Sequence, residues 1–105
     1  MQVLISVGSG AVACADVLLS PDAGITPLTV SLSTATTGAH IFYTKGDPPG
    51  TDPTHTGDSA GVGTIRIGSN SGSVSTGSGN KTIRALAYEP THLDSDITQG
   101  DYTSS

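Results

Sequence analysis

Apolar residues fall at every second position in several short runs, which is the period of a half-buried strand. The cleanest run is residues 28–34, where Leu28, Val30 and Leu32 share one side and Thr29, Ser31 and Ser33 the other. One face then meets a core and the opposite face meets water. Residues 40–44 place Ile41 and Tyr43 together, with His40 pointing outward. Residues 82–88 set Ile83, Ala85 and Ala87 against Leu86 and Tyr88. Near the start, residues 2–7 group Val3, Ile5 and Val7, and residues 12–19 give a second run beyond the Gly8-Ser9-Gly10 break. Residues 64–67 form a short strand, and residues 96–102 can close the sheet.

Between these runs lie turn signals. Pro21-Asp22-Ala23-Gly24, Thr37-Gly38-Ala39 and Glu89-Pro90-Thr91-His92 each combine residues that preset or permit turn dihedrals. Residues 46–63 contain Pro48, Pro49 and Pro53, which forbids a central strand and predicts an edge or loop region. Residues 68–80 are nearly all Gly, Ser, Asn and Thr and read as a linker, with Val74 as its one anchored edge contact. About seven strands spaced roughly 8–12 residues apart predict a Greek-key β-sandwich. The chain contains no internal repeat.

Composition sharpens this picture. Gly, Ser, Thr and Pro make up 49 of 105 residues, while Leu, Ile, Val and Phe make up 22. That is thin for a core and would leave disorder open, but only 12% of residues are charged and the net charge is −5. Self-repulsion is too weak to hold a coil open. With one Glu, two Lys, one Met and two Gln, helix formers are too scarce for a bundle. The chain is therefore expected to be all-β and a single sandwich domain.

The same numbers exclude several functions. Four basic residues and a pI near 4.6 cannot supply a phosphate-tracking surface, so no nucleic acid is expected as a partner. No apolar run approaches the ~20 residues of a membrane span. The single cysteine, Cys14, allows neither an internal disulfide nor a zinc site of paired cysteines. Residues 3–7 followed by Ala11-Val12-Ala13-Cys14-Ala15 mimic an export signal. However, no Lys or Arg precedes Lys45, and Gly8, Ser9 and Gly10 break the apolar stretch. A retained segment is expected instead, which divides the chain into an N-terminal strand or docking arm over residues 1–15 and a sandwich over residues 16–105. The segment carries Val3, Leu4, Ile5, Val7, Val12 and Cys14, too apolar for a solvated tail. It either adds as a strand to a neighbouring protein or folds back as an edge strand of its own sheet.

Four stretches in order carry a resemblance: residues 28–34, Thr37-Gly38-Ala39-His40-Ile41-Phe42-Tyr43-Thr44 with Gly46-Asp47-Pro48, Thr82-Ile83-Arg84-Ala85-Leu86-Ala87-Tyr88, and Ser95-Asp96-Ile97 with Tyr102. Together they resemble the immunoglobulin-like module at the C-terminus of chitobiases and β-hexosaminidases, which recurs in bacterial and phage surface proteins. The likeness spans residues 16–102. Residues 57–80 depart from it by being longer and richer in Ser and Gly. The resemblance implies an immunoglobulin-like, fibronectin type III-like sandwich with no catalytic residues, serving as a spacer, adhesion or surface-binding element.

Candidate chemistry agrees with that expectation. Asp22, Asp47, Asp52, Asp58, Asp94 and Asp96 all sit in turns, where Asp caps backbone N–H groups, and none lies in the apolar setting that would raise its pKa for glycoside hydrolysis. Asp94-Ser95-Asp96, or Asp47 with Asp52, offers the best set of oxygens for calcium, without EF-hand spacing. His40, His55 and His92 have no metal-ligand spacing and are expected to be solvated. Gly61-Val62-Gly63 and Gly77-Ser78-Gly79 open no helix after a strand, and no Gly-x-Ser-x-Gly elbow is present. Asn80-Lys81-Thr82 matches a glycosylation acceptor, relevant only in a eukaryotic secretory route. Phe42, Tyr43, Tyr88 and Tyr102 read as core, with a Tyr hydroxyl satisfying a backbone group at the sandwich edge.

No catalytic, cofactor-binding or metal-binding residue is expected, and no enzyme activity. The expected role is a structural or decoration protein on the surface of a phage virion, on capsid or tail. Its partners would be other particle proteins and, at the host surface, glycans. The alternative is a carbohydrate-binding or spacer module related to secreted glycosidases, extracellular or at the cell surface.

Overall fold

The computed structural model describes residues 12–104. Among them the chain forms ten strands and no helix: β1 (Leu18–Ser20), β2 (Ala23–Thr26), β3 (Thr29–Ser33), β4 (His40–Gly46), β5 (His55–Thr56), β6 (Ser59–Ala60), β7 (Ile65–Ile67), β8 (Ser71–Ser75), β9 (Lys81–Tyr88) and β10 (Thr98–Ser104). A five-stranded sheet has the order β2-β10-β9-β4-β7, a three-stranded sheet the order β1-β3-β8, and β5 with β6 makes a separate hairpin. All pairings between these strands are antiparallel except β2 with β10. The two larger sheets pack as a sandwich.

The alternation in the sequence builds the interior. Val30, Leu32, Ile41, Tyr43, Ile83, Ala85 and Ala87 are buried in one cluster, with Leu28 packed against it, as their spacing predicts. The cluster also takes Cys14, Val17, Leu19, Ala39, Val74 and Tyr102. Register places Tyr43 beside Ala85 and Ile41 beside Ala87 on the large sheet, and Val30 beside Val74 on the small one. Bulky side chains therefore sit next to alanines, which lets the two faces interdigitate.

Three segments differ from their sequence reading. Residues 68–80 are no linker: Ser71–Ser75 is a full strand paired with β3, and Val74 is buried. Gly72 makes this possible, because a Cβ there would stand 3.0 Å from the Ile67 side chain. Turn composition masks the strand, since Ser and Gly alternate with only one apolar residue. Second, residues 12–19 are mostly extended coil, with strand only from Leu18. Third, the Pro21-Asp22 turn does not end an element so much as move the chain between sheets. β1 pairs with β3 in the small sheet, and two residues later β2 runs parallel to β10 in the large one. Tyr102 fixes this crossover by donating its hydroxyl to the Pro21 carbonyl at 2.6 Å, the backbone partner expected of an edge tyrosine.

The end of the N-terminal segment is tied to the sandwich. Ala13 forms a parallel bridge with Leu93, through Cys14 N–H to Leu93 O and Leu93 N–H to Val12 O. On the other side Ala15 N–H donates to Thr36 Oγ1, and the Thr34 hydroxyl donates to Ala15 O. The alternatives of a docking arm and an internal edge strand for residues 1–11 lie outside the described residues.

Candidate functional site

The outer face of the five-stranded sheet, away from the sandwich interior, has a small core of its own. On β4 and β9 the outward positions Phe42 and Leu86 are register partners, and both are buried. Burial on both faces explains why β4 and β9 are nearly continuous in buried residues instead of alternating. The cover is the excursion between β4 and β7, which carries the β5–β6 hairpin. Three prolines keep that excursion out of a central ladder, as its sequence predicts, yet they do not keep it off the protein.

His55 is the centre of this cover. Its ring stacks on Phe42 with centroids 4.7 Å apart and planes 6° apart, and it meets Tyr88 at 4.8 Å. Phe42 and Tyr88 lie edge to face at 6.0 Å. His55 Nε2 is 2.7 Å from Asp94 Oδ2, and Nδ1 is 2.7 Å from the Gly57 carbonyl. The side chain is only 11% exposed. The expectation of a solvated loop histidine is therefore incorrect here. The missed signal is positional: the partner that buries it, Phe42, lies on the outward side of β4, which a two-layer reading assigns to water.

Around this centre several further charges act as fasteners. Arg66 on β7 forms a two-nitrogen pair with Asp58 in the β5–β6 turn, at 3.1 and 2.7 Å, and His40 Nδ1 sits 2.7 Å from the same carboxylate. Those hydrogen bonds, from Arg66 and then His40, pull the Asp58 carboxyl down to about 2. Arg84 on β9 donates to Asp52 at 2.7 Å and doubly to the Pro49 carbonyl, holding the start of the excursion. Glu89 accepts from Thr91 and pairs with His92 at 3.0 Å, contacts that lower its carboxyl to about 2. His40 does point outward from β4, as its position predicts, but it is half-buried against Asp58 and not freely solvated.

The sets of oxygens that the sequence offers for calcium are not assembled. Asp94 is taken by His55, Asp96 is exposed, and Ser95 turns inward to accept from Ala87 N–H at 2.8 Å while donating to Asp96 O. Asp52 is held by Arg84, and Asp47 stands 3.8 Å from Lys81. Among the described residues no three His, Cys, Asp or Glu side chains converge on a point. An open cleft is lined by Lys45, Gly46, Asp47, Pro49, Gly50 and neighbouring residues. Two of its wall groups are committed to the fold, with Thr44 donating to Thr51 O and Lys45 to Ser75 O. Cys14 is buried, and burial followed by the charges of Glu89 and Asp94 pushes its thiol pKa up. A raised pKa keeps the sulfur protonated and unreactive. Asn80 Oδ1 accepts from Ser104 N–H, so the glycosylation triplet has a structural use.

No protein-family model matches the chain, and no curated protein matches its sequence.

Proposed function

We propose that this chain is an immunoglobulin-like structural module that decorates a phage virion, on its capsid or tail, and catalyses no reaction. The strand order supports the immunoglobulin-like assignment. Its first strand splits between two sheets, as β1 and β2, and the second half runs parallel to the last strand. The observation that carries the structural role is the use of the ionisable side chains. Arg66, Arg84, His40, His55, His92, Asp52, Asp58, Glu89 and Asp94 pair with one another to fasten loops. Groups engaged in this way hold loops to the sheet, which supports a structural role.

The resemblance to the chitobiase-associated module supports a second reading, a carbohydrate-binding or spacer element at a cell surface. A structural role and glycan recognition separate on a binding experiment. Titration of the purified chain with chitin and peptidoglycan oligosaccharides, followed by amide shifts, is expected to leave every resonance unmoved. Saturable shifts confined to one face would overturn a purely structural role in favour of glycan recognition.

A further inference from the structure

His55 faces a hydrogen-bond acceptor at each ring nitrogen. The Gly57 carbonyl lies 2.7 Å from Nδ1 and the Asp94 carboxylate 2.7 Å from Nε2. Neither an amide carbonyl nor an ionised carboxylate has a hydrogen to give. A neutral imidazole carries one N–H and can satisfy one of these oxygens, leaving a nitrogen lone pair against the other. Only the imidazolium donates to both. The ring also stacks on Phe42, which carries no charge, and leans on Tyr88.

We propose that protonated His55 is a pH-operated clasp, joining the β5–β6 hairpin to the 89–97 loop across the outer face of the large sheet and opening when the proton leaves. The clasp stands independently of what the module is attached to. Its two ends belong to segments far apart in sequence: Gly57 is in the hairpin turn, and Asp94 follows β9. Losing the proton leaves one N–H for two acceptors, so either the Asp94 link to the 89–97 loop or the Gly57 tie within the hairpin turn is given up. The hairpin then leans more on the Asp58–Arg66 pair, the Phe42 stack and the Thr54 N–H bond to Thr64 Oγ1.

The charged surroundings favour the closed state. Asp94 faces the ring from the 89–97 loop and Asp58 from the hairpin turn. Asp58 is itself held by Arg66 of β7 and His40 of β4, and Tyr88 of β9 contributes its ring. Burial alone would pull the His55 pKa down. The hydrogen bonds to Asp94 and Gly57, with the charges of Asp94 and Asp58, outweigh it and the pKa is raised above 6.5. A raised folded-state pKa means the contribution is complete below the unfolded value and disappears as pH rises through the folded one. The clasp closes in acid and opens towards alkaline pH.

Nitrogen-15 spectra of the His55 ring in the full chain, recorded across pH, test this directly. Both ring nitrogens are expected to carry protons in mildly acidic solution, with a midpoint above the ordinary histidine value. Hydrogen-exchange protection factors of hairpin amides, among them Gly61 N–H bonded to Thr54 O, should fall several-fold across the same transition. Asp94→Asn should move the midpoint down and carry the loss of protection with it, and His55→Gln should make that protection independent of pH. A His55 ring that keeps a single N–H down into mildly acidic solution, with its midpoint at or below the ordinary histidine value, would overturn the clasp. So would hairpin protection that stays flat while His55 titrates. Both of these readouts come from the unsubstituted chain, so they decide the matter even if a variant fails to fold.

Discussion

Threonine supplies fifteen of the residues in this chain, and the buried ones show why. Thr26, Thr34, Thr44, Thr76 and Thr82 are all buried, and each hydroxyl has a partner. Their methyl groups fill space as valine would, while four of the hydroxyls satisfy backbone groups that strand ladders leave over and that of Thr82 donates to the Asp101 carboxylate. Thr76 is the sharpest case: Leu28 N–H donates to its oxygen at 3.0 Å, and its hydroxyl donates to Gly77 O at 2.9 Å. Thr76→Val keeps the shape and leaves Leu28 N–H without a partner, so it should cost about 1–3 kcal/mol in a urea titration. Leu32→Ala, at a wholly buried apolar site, should cost about 2–5 kcal/mol by the same measurement. Gly100 illustrates a constraint of space. A Cβ there would stand 2.7 Å from the Tyr102 hydroxyl and 2.8 Å from Leu19 Cδ1. The Tyr102 ring cannot swing aside without losing Pro21 O. Gly100→Ala should therefore destabilise by about 1–3 kcal/mol, seen as a lowered melting temperature.

Elements were legible in the sequence wherever alternation was backed by enough apolar residues. β3, β4 and β9 stand out because Leu, Val, Ile and Tyr mark their buried faces. β8 does not, since its core side needs only Val74 and a glycine thin enough to pass Ile67. Small residues chosen for close approach look the same in a sequence as small residues in a flexible linker. Val74→Ala distinguishes them: a strand should lose roughly 1–3 kcal/mol, whereas a linker would lose nothing measurable. The β5–β6 hairpin was hidden for a different reason. Its stability comes from contacts with β4, β7 and the 89–97 loop, and no local pattern records them. Its acid sensitivity is accordingly set by Asp58. Because Arg66 and His40 hold that carboxyl near 2, below the ordinary 3.8, the fastening is complete above the ordinary value. It should be lost as pH falls from there through about 2. Carboxyl carbon shifts of Asp58, followed with the Arg66 side-chain resonances, should report both changes at one midpoint.

At the scale of the whole molecule, a chain with a modest apolar content is folded by two cores sharing one sheet. The large sheet presents Ile41, Tyr43, Ile83, Ala85 and Ala87 inward, and Phe42 and Leu86 outward. Sequence alternation recovers the inner core, because one face of each strand is enough to specify it. The outer one needs knowledge of which loop returns to cover it, and so the grouping of His55, Phe42, Tyr88 and Asp94 could not be read from spacing. The decoration role proposed for the module rests on this use of polar side chains to hold loops. Quantitative mass spectrometry of particles banded on a density gradient, counting copies of this chain against the principal capsid or tail protein, tests that role most directly. The decoration reading predicts a fixed integer or simple fractional ratio that survives repeated banding. A chain that stays at the top of the gradient, or whose ratio falls with each wash, would contradict it.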